Sequence, residues 1–129
     1  MLIAALLVTS LLFGGTLLYS FGFAAFLFNA LPVAVAGSTI RRAFPHFYLF
    51  VIGTAALAAV LLYRPDPLAA ELMLVVAATT LPTRQLLMPA INRATDAGAK
   101  LQFKLLHGLS VVITLLHIGI AGFVLSRFL

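Results

Sequence analysis

The sequence contains no cysteine and no tryptophan, and only three of its 129 residues are acidic. The absence of cysteine excludes disulfides, thiol nucleophiles and thiolate metal sites. Three acids leave little from which to build a paired-carboxylate mechanism. The motifs of P-loop and Rossmann nucleotide binding, of zinc proteases and of serine hydrolases are also missing. No combination of residues indicates a particular reaction, and the sequence therefore favours a non-enzymatic protein.

Charge is scarce as well, at 9% of the residues, whereas 64% of the residues are hydrophobic. Soluble domains typically carry about 25% charged residues, and so few charges cannot cover so much apolar surface in water. The net charge is +5, and the charged residues lie mainly between long hydrophobic blocks. This placement indicates membrane topology and contact with anionic lipids, and argues against nucleic-acid binding. We therefore predict one integral membrane domain over residues 1–129.

Four hydrophobic segments are long enough to cross a bilayer, at about residues 2–31, 46–63, 68–88 and 105–126. They predict an all-α membrane protein, a four-transmembrane-helix antiparallel bundle. The stiff turn Arg64–Pro67 makes the second and third helices antiparallel neighbours. Residues 32–45 and 89–104 are predicted to be basic loops, and the first of them is predicted to contain a short interfacial helix.

The basic residues also predict an orientation. Arg41 and Arg42 lie in the first basic loop, and Arg93, Lys100 and Lys104 lie in the second. The positive-inside rule places both loops in the cytoplasm and both termini outside. The predicted location is the bacterial inner membrane.

A candidate polar site lies where the third and fourth segments approach the basic side. Asn92 and Asp96 share a helix face at i, i+4 spacing, and Asp96 is the one acid on this side. A membrane-embedded Arg84 needs an anion, so an Arg84–Asp96 pair is predicted. Such a pair binds a polar ligand, gates a vestibule or simply locks two helices together. The candidate site comprises Arg84, Asn92, Asp96, His107, Ser110 and Thr114.

Three histidines are candidate metal or haem ligands: His46, His107 and His117. His107 and His117 share a polar stripe of the last helix with Ser110 and Thr114, and this stripe is expected to face the bundle interior. The two histidines are separated by about 15 Å along the helix, so they cannot bind one ion together. Each can supply a single ligand to a metal or haem, or a hydrogen bond between helices.

The sequence resembles the TMEM205-like (DUF4149) family of small integral membrane proteins in two blocks. The first block contains Gly14-Gly15, Leu31-Pro32, Ala36-Gly37 and Phe44–Tyr48; the second contains Arg84, Pro89–Asn92, Asp96, Phe103 and Leu106–Ser110. The family often has asparagine four residues after the serine that corresponds to Ser110, and this sequence has Thr114 there. The resemblance implies a four-helix membrane domain that handles metals or small solutes. Related groups use membrane histidines to bind copper or haem, and the resemblance implies such a role for His107 at most.

Three functions stay open at this point. The first is a non-enzymatic membrane protein that handles a metal ion or a small solute through its basic end. The second is a haem- or copper-binding redox protein that uses His107 or His117. The third is an accessory or structural subunit, as part of a larger membrane complex or as a homo-oligomer.

Overall fold

A computed structural model describes all 129 residues as helices joined by short connections, with no strand. Four helices are long and apolar enough to cross a membrane: α1 Leu2–Ala30, α2 Val33–Leu62, α3 Pro67–Asp96 and α4 Lys100–Ser126. α1 packs against α2 and α4, and α3 packs against the same two helices, so the four form a closed bundle. The predicted all-α four-helix bundle is confirmed.

Most apolar side chains of the bundle face outward. Only 23 of the 129 residues are buried, and large aliphatic and aromatic side chains are exposed along all four helices. An exposed apolar surface of this extent is incompatible with water and matches the hydrocarbon of a bilayer. The chain is therefore an integral membrane protein.

Small residues let α2 and α3 pack more extensively than any other pair of helices. Ala55 and Ala58 on α2 have no exposed surface, and Ala69 and Ala70 on α3 have almost none. Lipid tails are as apolar as leucine side chains, so helix association in a bilayer depends on close packing of such small residues. The alanine-rich face of α2 thus holds the centre of the bundle together.

The connections between helices are short. Pro67 opens α3, and the Asp66 side chain caps that helix by accepting a hydrogen bond of 3.2 Å from the Ala69 amide. The link between α3 and α4 contains Gly98 at a φ of +66°, a backbone conformation that glycine adopts without steric cost. As predicted, the Arg64–Pro67 turn makes α2 and α3 antiparallel neighbours.

The two stretches predicted as basic loops are largely helical. α2 begins at Val33 instead of near residue 46, α3 continues to Asp96 instead of ending near residue 88, and α4 begins at Lys100 instead of near residue 105. Charged residues end the hydrocarbon span but do not end a helix, because the helix satisfies its own backbone groups on both sides of the interface. Pro45 lies inside α2, where the missing proline amide interrupts only one step of the hydrogen-bond ladder.

Two segments are wound as π-helix, Leu18–Phe23 in α1 and Thr83–Leu87 in α3. The second lies between Pro82 and Pro89, whose missing amides disturb the regular ladder. π-Helical turns rotate the following side chains relative to an unbroken α-helix. They therefore change which side chains each helix presents to its neighbours.

Candidate functional site

Asp96 forms an ion pair with a different arginine from the one predicted. The Arg41 guanidinium donates to both Asp96 carboxylate oxygens, at 2.9 and 3.2 Å, and lies 3.5 Å from the Asn92 carbonyl oxygen. Asn92 and Asp96 thus share a helix face as expected, and that face meets α2. The Arg41 and Asp96 side chains are 40% and 65% exposed, so the pair contributes at most about 1 kcal/mol.

Arg84 does not reach Asp96, and the predicted Arg84–Asp96 pair is wrong. α3 continues through Pro89, so the two residues lie twelve positions apart on one helix, about 18 Å along its axis. Arg84 instead donates from Nε to the Pro45 carbonyl oxygen at 3.1 Å and from Nη1 to the Gln85 amide oxygen at 2.8 Å. Two neutral acceptors replace the carboxylate, and Arg84 fastens the π-helical turn of α3 to α2.

The polar stripe of α4 divides between the surface and the interior. His107 is exposed and stacks on Phe103 with ring centroids 5.3 Å apart, while the Ser110 hydroxyl donates to the His107 carbonyl oxygen at 2.7 Å. Thr114 and His117, which lie farther along α4, face the bundle interior. The predicted inward orientation therefore holds for only half of the stripe.

The interior half of the stripe lines a very small cavity of about 10 Å³. Its other polar lining residues include Thr16, Thr80 and Thr83. The His117 Nε2 atom lies 2.7 Å from the Thr79 hydroxyl oxygen, a hydrogen bond between α3 and α4. A cavity of this size is near the lower limit of about 10–15 Å³ for one water molecule. One hydrogen bond joins α3 and α4 beside this cavity, and the cavity has no room for an organic ligand.

No group of three histidine, aspartate or glutamate side chains converges anywhere in the bundle. His107 is on the surface, His117 is in the interior, and His46 lies on the outer side of α2. The metal or haem role predicted for these histidines stays a prediction that no ligand cluster supports. The six residues of the candidate polar site are likewise spread over separate local contacts and do not form one site.

A groove between α1 and α2 opens toward the lipid and has a volume of about 660 Å³. Pockets that bind small molecules typically measure about 300–1,000 Å³. Ten residues line this groove, which we call the aromatic groove: Leu11, Gly15, Leu18, Tyr19, Gly22, Phe23, Phe26, His46, Phe47 and Phe50.

An aromatic cluster forms the floor of the aromatic groove. Tyr19 of α1 stacks on Phe47 of α2 with ring centroids 4.8 Å apart and planes 3° from parallel. Phe23, Phe44 and Tyr48 extend the cluster through edge and tilted contacts of 4.9–5.9 Å. Rings that pack against one another are held in fixed positions. The groove is therefore a preformed feature of the α1–α2 pair.

Glycines and the π-helical turn give the groove its depth. Gly15 and Gly22 both line it, and a β-carbon on Gly15 would lie 2.7 Å from the Phe50 ring. The turn at Leu18–Phe23 supplies Leu18, Tyr19 and Phe23 to one wall. The sequence prediction missed this site. Its signal was two glycines seven positions apart among closely spaced aromatic residues.

A second pocket adjoins the aromatic groove at His46 of α2. It has a volume of about 360 Å³ and is lined by Ser38, Thr39, Arg42, Ala43 and His46, which we call the polar shelf. Most of these residues are spaced three or four apart, so they share one face of the helix. His46 lines both features and marks the junction between them.

The opposite end of the bundle is closed by one ion pair. Arg127 donates from Nε to Asp66 Oδ2 at 2.6 Å and from Nη2 to Asp66 Oδ1 at 3.0 Å. The hydrogen bonds from Arg127, helped by the Ala69 amide, hold the pKa of the Asp66 carboxyl below its ordinary value. This contact ties the start of α3 to the end of α4.

Replacing Arg127 by glutamine should raise the Asp66 pKa, because the strongest donor to the ionised carboxylate is lost. A carboxyl with a lowered pKa in the folded protein stabilises the fold above about pH 4, and that contribution disappears as the pH falls through the lowered value. A carbon-detected NMR titration of Asp66 measures the midpoint. Arg64→Gln is the control, since Arg64 forms no ion pair. Equal Asp66 midpoints in Arg127→Gln and the unmodified protein would show that Arg127 does not lower the Asp66 pKa.

These features define a class of protein. An all-helical bundle with apolar side chains outside and polar contacts at its ends is a small polytopic membrane protein, and this one has a lipid-facing groove beside a cationic shelf. The family model described as domain of unknown function DUF4149 matches residues 7–100. The chain belongs to the DUF4149 family, and this part of the predicted resemblance is confirmed.

Comparison with curated proteins and with solved structures gave no match. The family match ends where α4 begins, so the two α4 histidines lie outside the matched region. The aromatic groove and the polar shelf, which use residues between 11 and 50, lie within it.

Proposed function

We propose that this protein is a non-enzymatic lipid-binding membrane protein that holds an acyl chain in the aromatic groove. The observation that carries the proposal is the groove itself, a preformed apolar volume that opens sideways to the bilayer. This function is the solute-handling hypothesis applied to a solute that is dissolved in the membrane. The occupant enters from the lipid phase and needs no aqueous pathway through the bundle.

The shape and chemistry of the groove support an acyl chain as the occupant. The lining consists mainly of aliphatic and aromatic side chains with glycines at two positions, and the groove follows the length of α1 from Leu11 to Phe26. These positions span about fifteen residues, or about 22 Å of helix. A long, narrow, apolar occupant fits such a groove, and a bilayer offers acyl chains as the most abundant molecules of that form.

The absence of tryptophan allows a direct test with a single reporter. Phe26→Trp places a fluorophore in the groove, and Leu105→Trp places a matched one on α4; the native side chains are 64% and 66% exposed. Each variant is reconstituted in bilayers of unbrominated lipid that contain increasing fractions of a phospholipid with brominated acyl chains. Bromine quenches tryptophan on contact.

We expect quenching of the groove reporter to saturate at a low fraction of brominated lipid. The reason is that the groove binds one acyl chain more tightly than an ordinary lipid-facing surface does. The α4 reporter should follow the bulk composition, as any lipid-facing position does. Identical quenching curves for the two reporters, with both phosphatidylglycerol and phosphatidylcholine, would overturn the proposed function.

We also propose that the basic end of the bundle faces the cytoplasm, with both termini outside. The positive-inside rule supports this orientation, since the helix ends near Arg41, Arg42, Arg93, Lys100 and Lys104 collect most of the positive charge. The chain has no cysteine, so single cysteines at Ser38 and Ser126 can be labelled in intact cells with a membrane-impermeant maleimide. Labelling of Ser126→Cys alone supports the orientation, and labelling of Ser38→Cys alone reverses it.

A further inference from the structure

The polar shelf adjoins the aromatic groove at His46, and this junction bears on the identity of the bound lipid. His46 lines both features. Beyond His46 the α2 surface changes from aromatic residues to hydroxyl and guanidinium groups at Ser38, Thr39 and Arg42. An amphiphile has the same change along its length, from an apolar chain to a polar head group.

The depth of the shelf matches the head-group region of a bilayer. α2 contains 30 residues and is about 45 Å long, whereas the hydrocarbon core measures about 30 Å. The part of α2 that extends beyond the hydrocarbon core includes the arginines near the start of the helix. Arg42 therefore lies near the membrane interface. The α1 wall of the groove belongs to the apolar Leu2–Ala30 span. A lipid with its head at Arg42 thus has its chain at the depth of the groove.

The charge of the shelf is positive and unneutralised by the protein. The neighbouring Arg41 pairs with Asp96, but Arg42 takes part in neither of the two salt bridges of the chain. The next residue along a helix points about 100° away, so Arg42 is directed to a different side from Arg41. His46 is exposed and adds a ring N–H that has no acceptor within the protein.

The two hydroxyl groups of the shelf are arranged to accept hydrogen bonds. Ser38 Oγ and Thr39 Oγ1 both donate to the Val35 carbonyl oxygen, at 3.0 and 2.7 Å. Their own lone pairs stay available to a donor on a bound molecule. The shelf therefore presents a cation for an anionic group and, one turn away, acceptors for hydroxyl hydrogens.

From this arrangement we propose that the bound lipid is an anionic phospholipid whose phosphate contacts Arg42 and His46 and whose head-group hydroxyls donate to Ser38 and Thr39. The assignment rests on the proposed function, since the acyl chain of the same molecule occupies the aromatic groove. Arginine and phosphate form strong charge-assisted hydrogen bonds, and the exposed end of the shelf leaves the head group in contact with water. Phosphatidylglycerol has this head-group chemistry.

The test compares brominated phosphatidylglycerol with brominated phosphatidylcholine in the Phe26→Trp protein. We expect half-saturation at an about fivefold lower fraction of phosphatidylglycerol, because one arginine near a membrane surface contributes about 1 kcal/mol toward an anionic lipid. Arg42→Gln should reduce this preference to less than about twofold, and Arg42→Lys, which keeps the charge, should retain most of it. Arg93→Gln, an exposed arginine of α3 that lines neither feature, should leave it unchanged.

The outcomes separate this inference from the proposed function. Saturable quenching by both lipids with equal half-saturation, or a preference that survives Arg42→Gln, overturns the anionic assignment and leaves the groove function standing. Equal loss of preference in Arg42→Gln and Arg93→Gln also overturns it, because the general surface charge then accounts for the effect. Absence of saturable quenching by either lipid defeats the proposed function itself.

Discussion

Gly22→Phe is expected to weaken lipid binding in the aromatic groove at least tenfold while leaving the fold intact. Gly22 lines the groove, and a β-carbon at this position would meet only the flexible end of Leu18, at 3.3 Å. The helix can therefore carry the phenylalanine, and the ring takes up volume that an acyl chain would occupy. In the Phe26→Trp background, the half-saturating fraction of brominated phospholipid should increase at least tenfold, which corresponds to a loss of about 1.4 kcal/mol or more.

Gly14→Phe provides the matched control for this prediction. Gly14 lies on the same helix, is exposed and does not line the groove, and a β-carbon added to it would have no neighbour within 4 Å. The same ring is thus added to the same helix on another side. If Gly14→Phe weakened quenching as much as Gly22→Phe, an effect on α1 in general would explain both results, and the groove would not be the binding site.

Ala58→Phe is expected to produce the largest loss of stability among single substitutions. Ala58 has no exposed surface and belongs to the core cluster that α2 shares with α3, the helix against which α2 packs most extensively. A phenylalanine there pushes the two helices apart and removes their close packing, which is the main attraction between helices in lipid. Overpacking of a core usually costs about 1–3 kcal/mol, and separation of this helix pair should reach the upper part of that range.

The measurement is reversible unfolding in mixed micelles with increasing sodium dodecyl sulfate, followed by circular dichroism. Val60→Phe is the control, since Val60 is 71% exposed on the same helix and the larger ring there faces lipid. Its effect should stay within about 0.5 kcal/mol. Equal unfolding midpoints for Ala58→Phe and the unmodified protein would show that the α2–α3 contact does not limit stability.

The sequence predicted the membrane class because hydrophobicity acts over whole segments. Uncharged runs such as the first 30 residues can only be buried in lipid, whatever the neighbouring helices do. The proline-containing turn at Arg64–Pro67 fixed one antiparallel pair through local backbone restriction. Each of these inferences needs only short-range information.

The predicted polar site failed because it depended on where helices end and how they face. Arg84 and Asp96 were paired because a membrane-embedded arginine needs an anion and Asp96 is the one acid on the basic side, but α3 continues to Asp96 and holds the two residues apart. With the helix unbroken, Arg41 from another segment became the nearer cation. A proline makes it more probable that a helix ends, but contacts with the rest of the protein decide whether the helix ends there.

By itself, the sequence determined that this chain is a four-helix membrane protein with its positive charge gathered at one end, since composition and segment length dictate the solvent that a chain can tolerate. The aromatic groove, the shelf beside it and the ion partners were decided by the tertiary structure. Those features arise between residues far apart in the chain, at distances set by helix rotation, helix length and the π-helical turns. No pattern along a single segment contains that information.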